Sequence, residues 1–288
     1  MVLRNLVFRI FILLTCLHTT LHAQDLSLQF NGGLMNYGGD LQSQVYTFKE
    51  SELTAGANIR YTIKNYSLRL GFNYGSVQGD DKKGTQYASR NLNFNSNIVE
   101  GNLCLEYDLF AMDDDKKFIP YAFLGGGVFH FNPYTNYNGQ KVYLQPLGTE
   151  GEGLSIYPNR KIYALTQIEV PYGVGVRYKL SSNFLIGLEF NSRHLFTDYL
   201  DDVSRTYPDE SELFKAHGQL AVDLSYRGNE VNPSSHFPAA GKMRGNPHQK
   251  DNFYTSVLTL TYIFPDHSLF NGFSSRDKRS LNCPKKVH

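Results

Sequence analysis

Tryptophan is missing from this chain of 288 residues, cysteine occurs three times, and net charge is almost nil at +1. Each shortage excludes something. With charged residues at 19% and the two signs balanced, there is no electrostatic ground for a nucleic-acid partner, which would call for a basic patch or stripe. After residue 23 no stretch approaches the roughly 18 consecutive apolar residues of a transmembrane helix. Cys16 falls in a leader described below, which leaves Cys104 and Cys283. Two thiols in an oxidising compartment can pair. One of these sits mid-strand and the other in a C-terminal tail, so two unpaired residues is the preferred reading and pairing stays open.

What is present begins with a leader. Residues 1–23 read as a secretory signal peptide: Arg4 and Arg9 form the basic start, residues 10–17 the apolar core, and Ala23 precedes the expected cut before Gln24. Leu21 is a poor residue three before the mature end. Leu13, Leu14, Thr15 and Cys16 loosely resemble a lipoprotein signal, with Thr15 a weak fit before the cysteine, so the plain secretory cut is preferred.

Eight stretches follow in which apolar and polar residues alternate with a period of two, which no helix gives. The first covers about 25–34, with Leu26, Leu28 and Phe30 on one face. The second, about 52–63, sets Leu53, Ala55, Ala57, Ile59 and Tyr61 against Thr54, Asn58, Arg60 and Thr62. Lys64 and Asn65 make a tight turn, with Asn65 the residue tolerant of positive φ. The third opposes Leu68, Leu70, Phe72 and Tyr74 to Ser67, Arg69, Gly71 and Asn73. The fourth, 91–109, starts with Leu92, Phe94 and Ile98 in phase and ends with Val99, Leu103, Leu105 and Tyr107 one residue out of phase, which predicts a bulge near Ile98 and Val99. The fifth, 118–131, carries Gly125, Gly126 and Gly127; the sixth runs from Gln167 to Leu180, the seventh follows from Phe184, and the last ends at Pro265.

The gaps between these stretches alternate long and short. Long ones cover about 35–51, 78–90, 132–163 and 194–251. Tight turns on the periplasmic side and large loops outside are the arithmetic of an outer-membrane barrel. A soluble barrel would turn the apolar face inward. The polar face decides between the two: Arg60, Arg69, Glu106, Asp108, Glu169, Arg177, Lys179, Glu189 and Arg193 have both signs and would pair inside a narrow lumen, with Asn58, Asn73, Asn102 and Asn191 among them. The opposite face is rich in large aromatics, and every long loop falls at one end. The expected fold is therefore all-β, an eight-stranded antiparallel up-and-down transmembrane β-barrel over residues 24–264, followed by a periplasmic C-terminal tail over 265–288. Its lumen would be filled by its own side chains. Tyrosine and phenylalanine, together 14%, would have to form the interfacial girdles.

No constellation singles out a catalytic, cofactor-binding or metal-ligating residue. The run from Thr197 through Asp198, Tyr199, Leu200 and Asp201 to Asp202 is acidic enough to suggest calcium but lacks the spacing and glycine of a calcium loop, so a solvated loop is the expectation. The stretch Gly148, Thr149, Glu150, Gly151, Glu152, Gly153 is glycine-rich without the Gly-Lys-Ser/Thr of a phosphate loop. His130, His194, His217, His236 and His248 are scattered without ligand spacing. Ser192, Arg193 and His194 near a strand end are the only hint of a lipid-modifying hydrolase on the outer wall. The expectation is a non-enzymatic protein with no cofactor.

Six segments carry a family resemblance: Asn36-Tyr37-Gly38-Gly39-Asp40-Leu41; Arg90-Asn91-Leu92-Asn93-Phe94; Phe129-His130-Phe131-Asn132-Pro133; Leu144-Gln145-Pro146-Leu147-Gly148-Thr149-Glu150-Gly151; Phe196-Thr197-Asp198-Tyr199-Leu200-Asp201-Asp202-Val203-Ser204; and Arg244-Gly245-Asn246-Pro247. Together, and in this order, the chain resembles the PorG-like outer-membrane barrels of Bacteroidota, which are associated with the type IX secretion system. The resemblance implies an integral outer-membrane component that anchors or organises a periplasmic ring of PorK-like lipoprotein and PorN-like partner subunits, with outer-membrane lipids around it. A structural or ligand-binding barrel without a secretion role is the alternative. The chain departs from the family in continuing past its last strand to a tail with Arg276, Lys278, Arg279, Lys285 and Lys286. That tail is expected to be either a disordered basic extension or a contact to a ring subunit or peptidoglycan.

Overall fold

Residues Gln24–Gly38 form the first strand, β1, and its two edges are both occupied: β2 (Glu52–Ile63) on one side and the last strand, β10 (Asn252–Ile263), on the other. The sheet is therefore closed. In the computed structural model, which describes residues 24–42, 47–83, 87–110 and 117–265, the wall continues through β3 (Tyr66–Asp80), β4 (Asn93–Asp108), β5 (Phe118–His130), β8 (Thr166–Lys179) and β9 (Phe184–Leu195). Every neighbouring pair is antiparallel. A short hairpin, β6 (Tyr134–Tyr137) and β7 (Gln140–Tyr143), adds to the outer end of β4. Its turn uses Asn138 and Gly139 at φ 51° and 77°, the left-handed pair that suits the twist of a two-residue hairpin. The expected signal peptide and the expected tail from Asp266, including Cys283, lie outside the described residues.

Each barrel strand buries alternate side chains. Along β3, Ser67, Arg69, Gly71 and Asn73 point in, while Leu68, Leu70, Phe72 and Tyr74 stand exposed on the outside. Leu70 at 58%, Val174 at 57% and Leu124 at 60% exposure would be an unstable surface in water, and their contiguity marks a face made for hydrocarbon. Aromatic rings ring the wall at the end of the short turns: Tyr66 with Tyr107 (centroids 5.1 Å apart), Phe118 with Tyr178 (4.9 Å), and Phe184 with Tyr262 (5.1 Å). Tyrosine and phenylalanine thus build the girdle where tryptophan usually shares the task. β3 and β4, at 15 and 16 residues, exceed the about 9–11 residues needed to span a bilayer, and the surplus carries the wall outward beneath the loops.

The lumen is full. Near the turn end, Glu106 receives Arg60 Nε at 2.8 Å and Arg177, with Arg69 Nη1 2.9 Å from its other oxygen; Arg177 also reaches Asp108 at 2.6 Å. Arg69 continues to Glu189 at 2.6 Å, which accepts from the Tyr121 hydroxyl at 2.7 Å. Higher up, Arg193 pairs with Glu100 at 2.9 Å. Gly175 and Gly173, registered opposite Tyr121 and Phe123, leave the room those rings occupy. Arg177 and Arg69 lie over the same two rings at 3.4 and 4.2 Å. Between these layers the central polar void, lined by Asn58, Asn102 and Asn191 among others, measures about 10 Å³, room for one water. Cys104 projects into this interior as a buried free thiol.

Two expectations need correction. β4 has no bulge at Ile98 and Val99: its register with β3 is unbroken from Tyr66↔Tyr107 to Asp80↔Asn93. Phe94 and Ile98 are instead fully buried inside the barrel, because the outer third of the lumen is apolar and continuous with a core beneath the loops that includes Met35, Tyr37, Phe129, Phe131 and Phe253. In the first tight turn, positive φ (55°) falls on Lys64, while Asn65 uses its side chain to donate to Asp108 O at 2.9 Å. Closed, antiparallel, apolar outside and filled inside, this is an eight-stranded integral outer-membrane barrel, since only a barrel without edges satisfies every backbone group in lipid.

Candidate functional site

With the lumen closed, the groups available for recognition lie above it, where the four long connections fold into a platform. The fourth contributes two helices, α1 (Glu210–His217) and α2 (Gln219–Ser225). Asp209 caps α1 by accepting from Glu212 N at 3.1 Å. Beneath them lies a knot of buried charges.

Tyr37, at the end of β1, donates from its hydroxyl to Asp201 at 2.5 Å and lies 3.1 Å from Asp251, just before β10. The same carboxylates hold backbone: Asp251 accepts from Leu200 N (2.9 Å) and Asp201 from Val203 N (2.8 Å). Gly39 packs so closely here that a Cβ would lie 2.1 Å from Asp251 Oδ1. A second centre is Arg90, which grips Asp81 with two bonds of 2.8 and 2.7 Å and also donates to the carbonyls of Arg244 and Asp40. The third is Arg244. It donates to Glu150 Oε1 at 3.1 Å, Asp202 O at 2.6 Å and Ser225 O at 3.1 Å. Glu150 accepts in turn from the backbone of Ser204 and Arg205 at 2.9 Å each. Asp202 takes the hydroxyls of Thr149 (2.6 Å) and Tyr163 (2.7 Å).

Asp198, Asp201, Asp251 and Glu152 are displaced upward from the ordinary carboxylate range. Burial and then the neighbouring Asp251 push Asp201 well up, and burial does the same to Asp251. Burial, followed by the charges of Glu150 and Asp202, raises Glu152 to about 8. Burial raises Asp198 to about 7 against the pull of the Ser204 hydroxyl and Lys250.

The acidic run over residues 197–202 is therefore not a solvated loop: Asp198, Asp201 and Asp202 are at most 3% exposed. Its carboxylates are cement. Among the described residues no cluster has the geometry to hold a metal. The glycine-rich stretch is a turn whose Gly148, Gly151 and Gly153 take φ of 53°, 79° and 79°, presenting Thr149 and Glu150 to the knot. Ser192 and His194 alternate outward around the inward Arg193, and His194 stands edge-on against Phe196 at 5.3 Å. His130 lies on the wall 3.0 Å from the Thr166 hydroxyl. The five histidines are not gathered.

Outside the knot, over the ends of β8 and β9, the loops leave an open cleft of about 510 Å³. Arg160, Arg205, Lys250, Asp198, Phe196 and Tyr199 line it. Sequence reasoning passed over Arg160, Arg205, Lys250 and Asp251, each of which stands in a loop without local pattern.

Among solved structures the chain is similar in shape to Neisserial surface protein A (10% identity, TM-score 0.40, covering 84% of this chain and 100% of that one). It is likewise similar to Ail, the attachment invasion locus protein of Yersinia pestis (10%, 0.41, 84% and 100%), and to the outer membrane protein OprG from Pseudomonas aeruginosa (11%, 0.41, 84% and 96%). No curated protein matches by sequence. Residues 4–223 match the family described as Domain of unknown function (DUF6089), and with most of its length so matched the chain belongs to that family.

Proposed function

We propose that this barrel is a non-enzymatic, PorG-like component of the type IX secretion system. Its task in this reading is to anchor or organise the periplasmic ring of PorK-like and PorN-like subunits. One observation supports it above others: the six segments that carry the PorG-like resemblance, scattered from residue 36 to residue 247, converge on a single fold element. They supply Tyr37, Arg90, Phe129, Glu150, Asp201 and Arg244 to the charged knot and the apolar core beneath it. A filled lumen fits an anchor better than a conduit. Ring subunits would meet the turn end, at residues 64–65, 109–110 and 180–183. Deleting the gene and measuring export of type IX cargo tests the assignment, and undiminished export overturns it. Crosslinking from the periplasm followed by co-purification tests the ring contact.

A second reading, a structural or ligand-binding barrel without a secretion role, is favoured by the open cleft on the external face. Normal export combined with loss of a surface-binding phenotype in the deletion strain would select it. Altered lipid A in that strain would instead point to an enzyme.

A further inference from the structure

We infer that the external cleft over the ends of β8 and β9 is a binding site for an anionic saccharide, a sugar bearing a phosphate or carboxylate. This holds whether or not the barrel serves secretion. Three cations face the cleft against a single carboxylate: Arg160, Arg205 and Lys250 against Asp198. Arg160 is held in place, donating to Thr206 O at 2.8 Å and Thr206 Oγ1 at 2.7 Å, with its guanidinium 4.3 Å from the centre of the Tyr157 ring. The Arg205 and Lys250 side chains are exposed, and among the described residues each has a single 3.4 Å hydrogen-bond contact, to a backbone carbonyl, Asn159 O and Pro247 O. They are free to close on an anion.

The feature that points to a sugar is Asp198. It is 3% exposed, and its Oδ2 accepts from the Ser204 hydroxyl at 2.7 Å. Its Oδ1 is buried with no hydrogen-bond partner among the described residues. A buried acceptor left unsatisfied is costly, and a hydrogen bond from a ligand hydroxyl would relieve that cost. Cations beside a carboxylate acceptor suit a molecule that carries an anionic group and hydroxyls together. Phe196 and Tyr199 add flat apolar surface of the kind on which sugar rings rest. The cleft also stands where strands leave the bilayer: Phe196 directly follows β9 and is 54% exposed. The same chemistry therefore arrives either as the phosphorylated headgroup of an outer-leaflet glycolipid or as a soluble acidic glycan.

The test uses the full mature protein in phosphatidylcholine nanodiscs, titrated calorimetrically with glucose 6-phosphate, glucose and inorganic phosphate. Glucose 6-phosphate should bind more tightly than either control. The double variant R205E/K250E, at two exposed side chains, should weaken it about tenfold or more, and D198N should narrow its advantage over inorganic phosphate. Heat-modifiable migration in gels checks that each variant is folded. No binding of glucose 6-phosphate at millimolar concentration, equal binding of glucose or of inorganic phosphate, or indifference to R205E/K250E overturns the site. Competition by a phosphorylated glycolipid in the same disc upholds it with the membrane as source; undiminished binding in its presence upholds it with a soluble source.

Discussion

Arg244 and Glu150, in different external loops, meet at 3.1 Å with both side chains at most 2% exposed. Such a pair is costly to break from one side, because the survivor is left charged and buried. Glu150→Gln or Arg244→Ala should weaken the platform by about 3–5 kcal/mol. Limited proteolysis should then cut the loops quickly, while the barrel keeps its heat-modifiable migration.

Gly39→Ala should do similar damage by a steric route. The added Cβ would lie 2.1 Å from Asp251 Oδ1 and 2.2 Å from the Tyr37 hydroxyl, so the Tyr37–Asp251 contact cannot survive. Gly126→Ala is the control, since a Cβ there meets nothing within 4 Å. Thermal unfolding in detergent, read by loop proteolysis, should separate the two variants.

The wall makes its own prediction. Leu70→Arg or Val174→Arg should cost about 2–4 kcal/mol if the residue sits near the bilayer midplane. Urea titrations of folding into lipid vesicles measure this directly. A variant as stable as the parent would contradict an outward, lipid-facing position.

Inside the lumen, Glu106→Gln removes the carboxylate on which Arg60, Arg69 and Arg177 converge. Three guanidiniums would then share Asp108 and Glu189. The same vesicle titration should report a loss of about 3–5 kcal/mol or failure to fold.

The external platform should be most stable in acid. Asp198, raised to about 7, and Glu152, raised to about 8, hold protons in the folded state that an unfolded carboxyl releases near pH 4. The folded state binds more protons between those limits. Its extra stability is fully present below the ordinary carboxylate range and is lost as pH rises through the folded values. Amide exchange across the loops should accelerate from pH 5 to pH 8 beyond its intrinsic pH dependence, and Asp198→Asn should flatten part of that change.

The wall was legible because a strand in a barrel has two environments and a period of two reports both. Alternation puts Arg60, Arg69, Arg177, Glu106 and Glu189 on one face, the aromatic opposite face and the one-sided long loops turn that face inward, and they lie there paired. Alternation failed at Phe94 and Ile98 because it tells faces apart without saying how polarity changes with depth. An apolar upper lumen looks, in sequence, like a strand that has slipped. The platform is not legible in the sequence. Tyr37 and Asp201 are 164 residues apart, and no local spacing announces such a contact. An acidic run reads as solvated unless its distant partners are known.

Tyr37 and Asp251 also stand at one particular place, the top of the seam where β1 meets β10 and the barrel closes on itself. Their bond, with Asp201 joined to the same hydroxyl, is a clasp across the two ends of the wall. It requires the outer ends of β1 and β10 to lie side by side, so an intact clasp reports a closed seam.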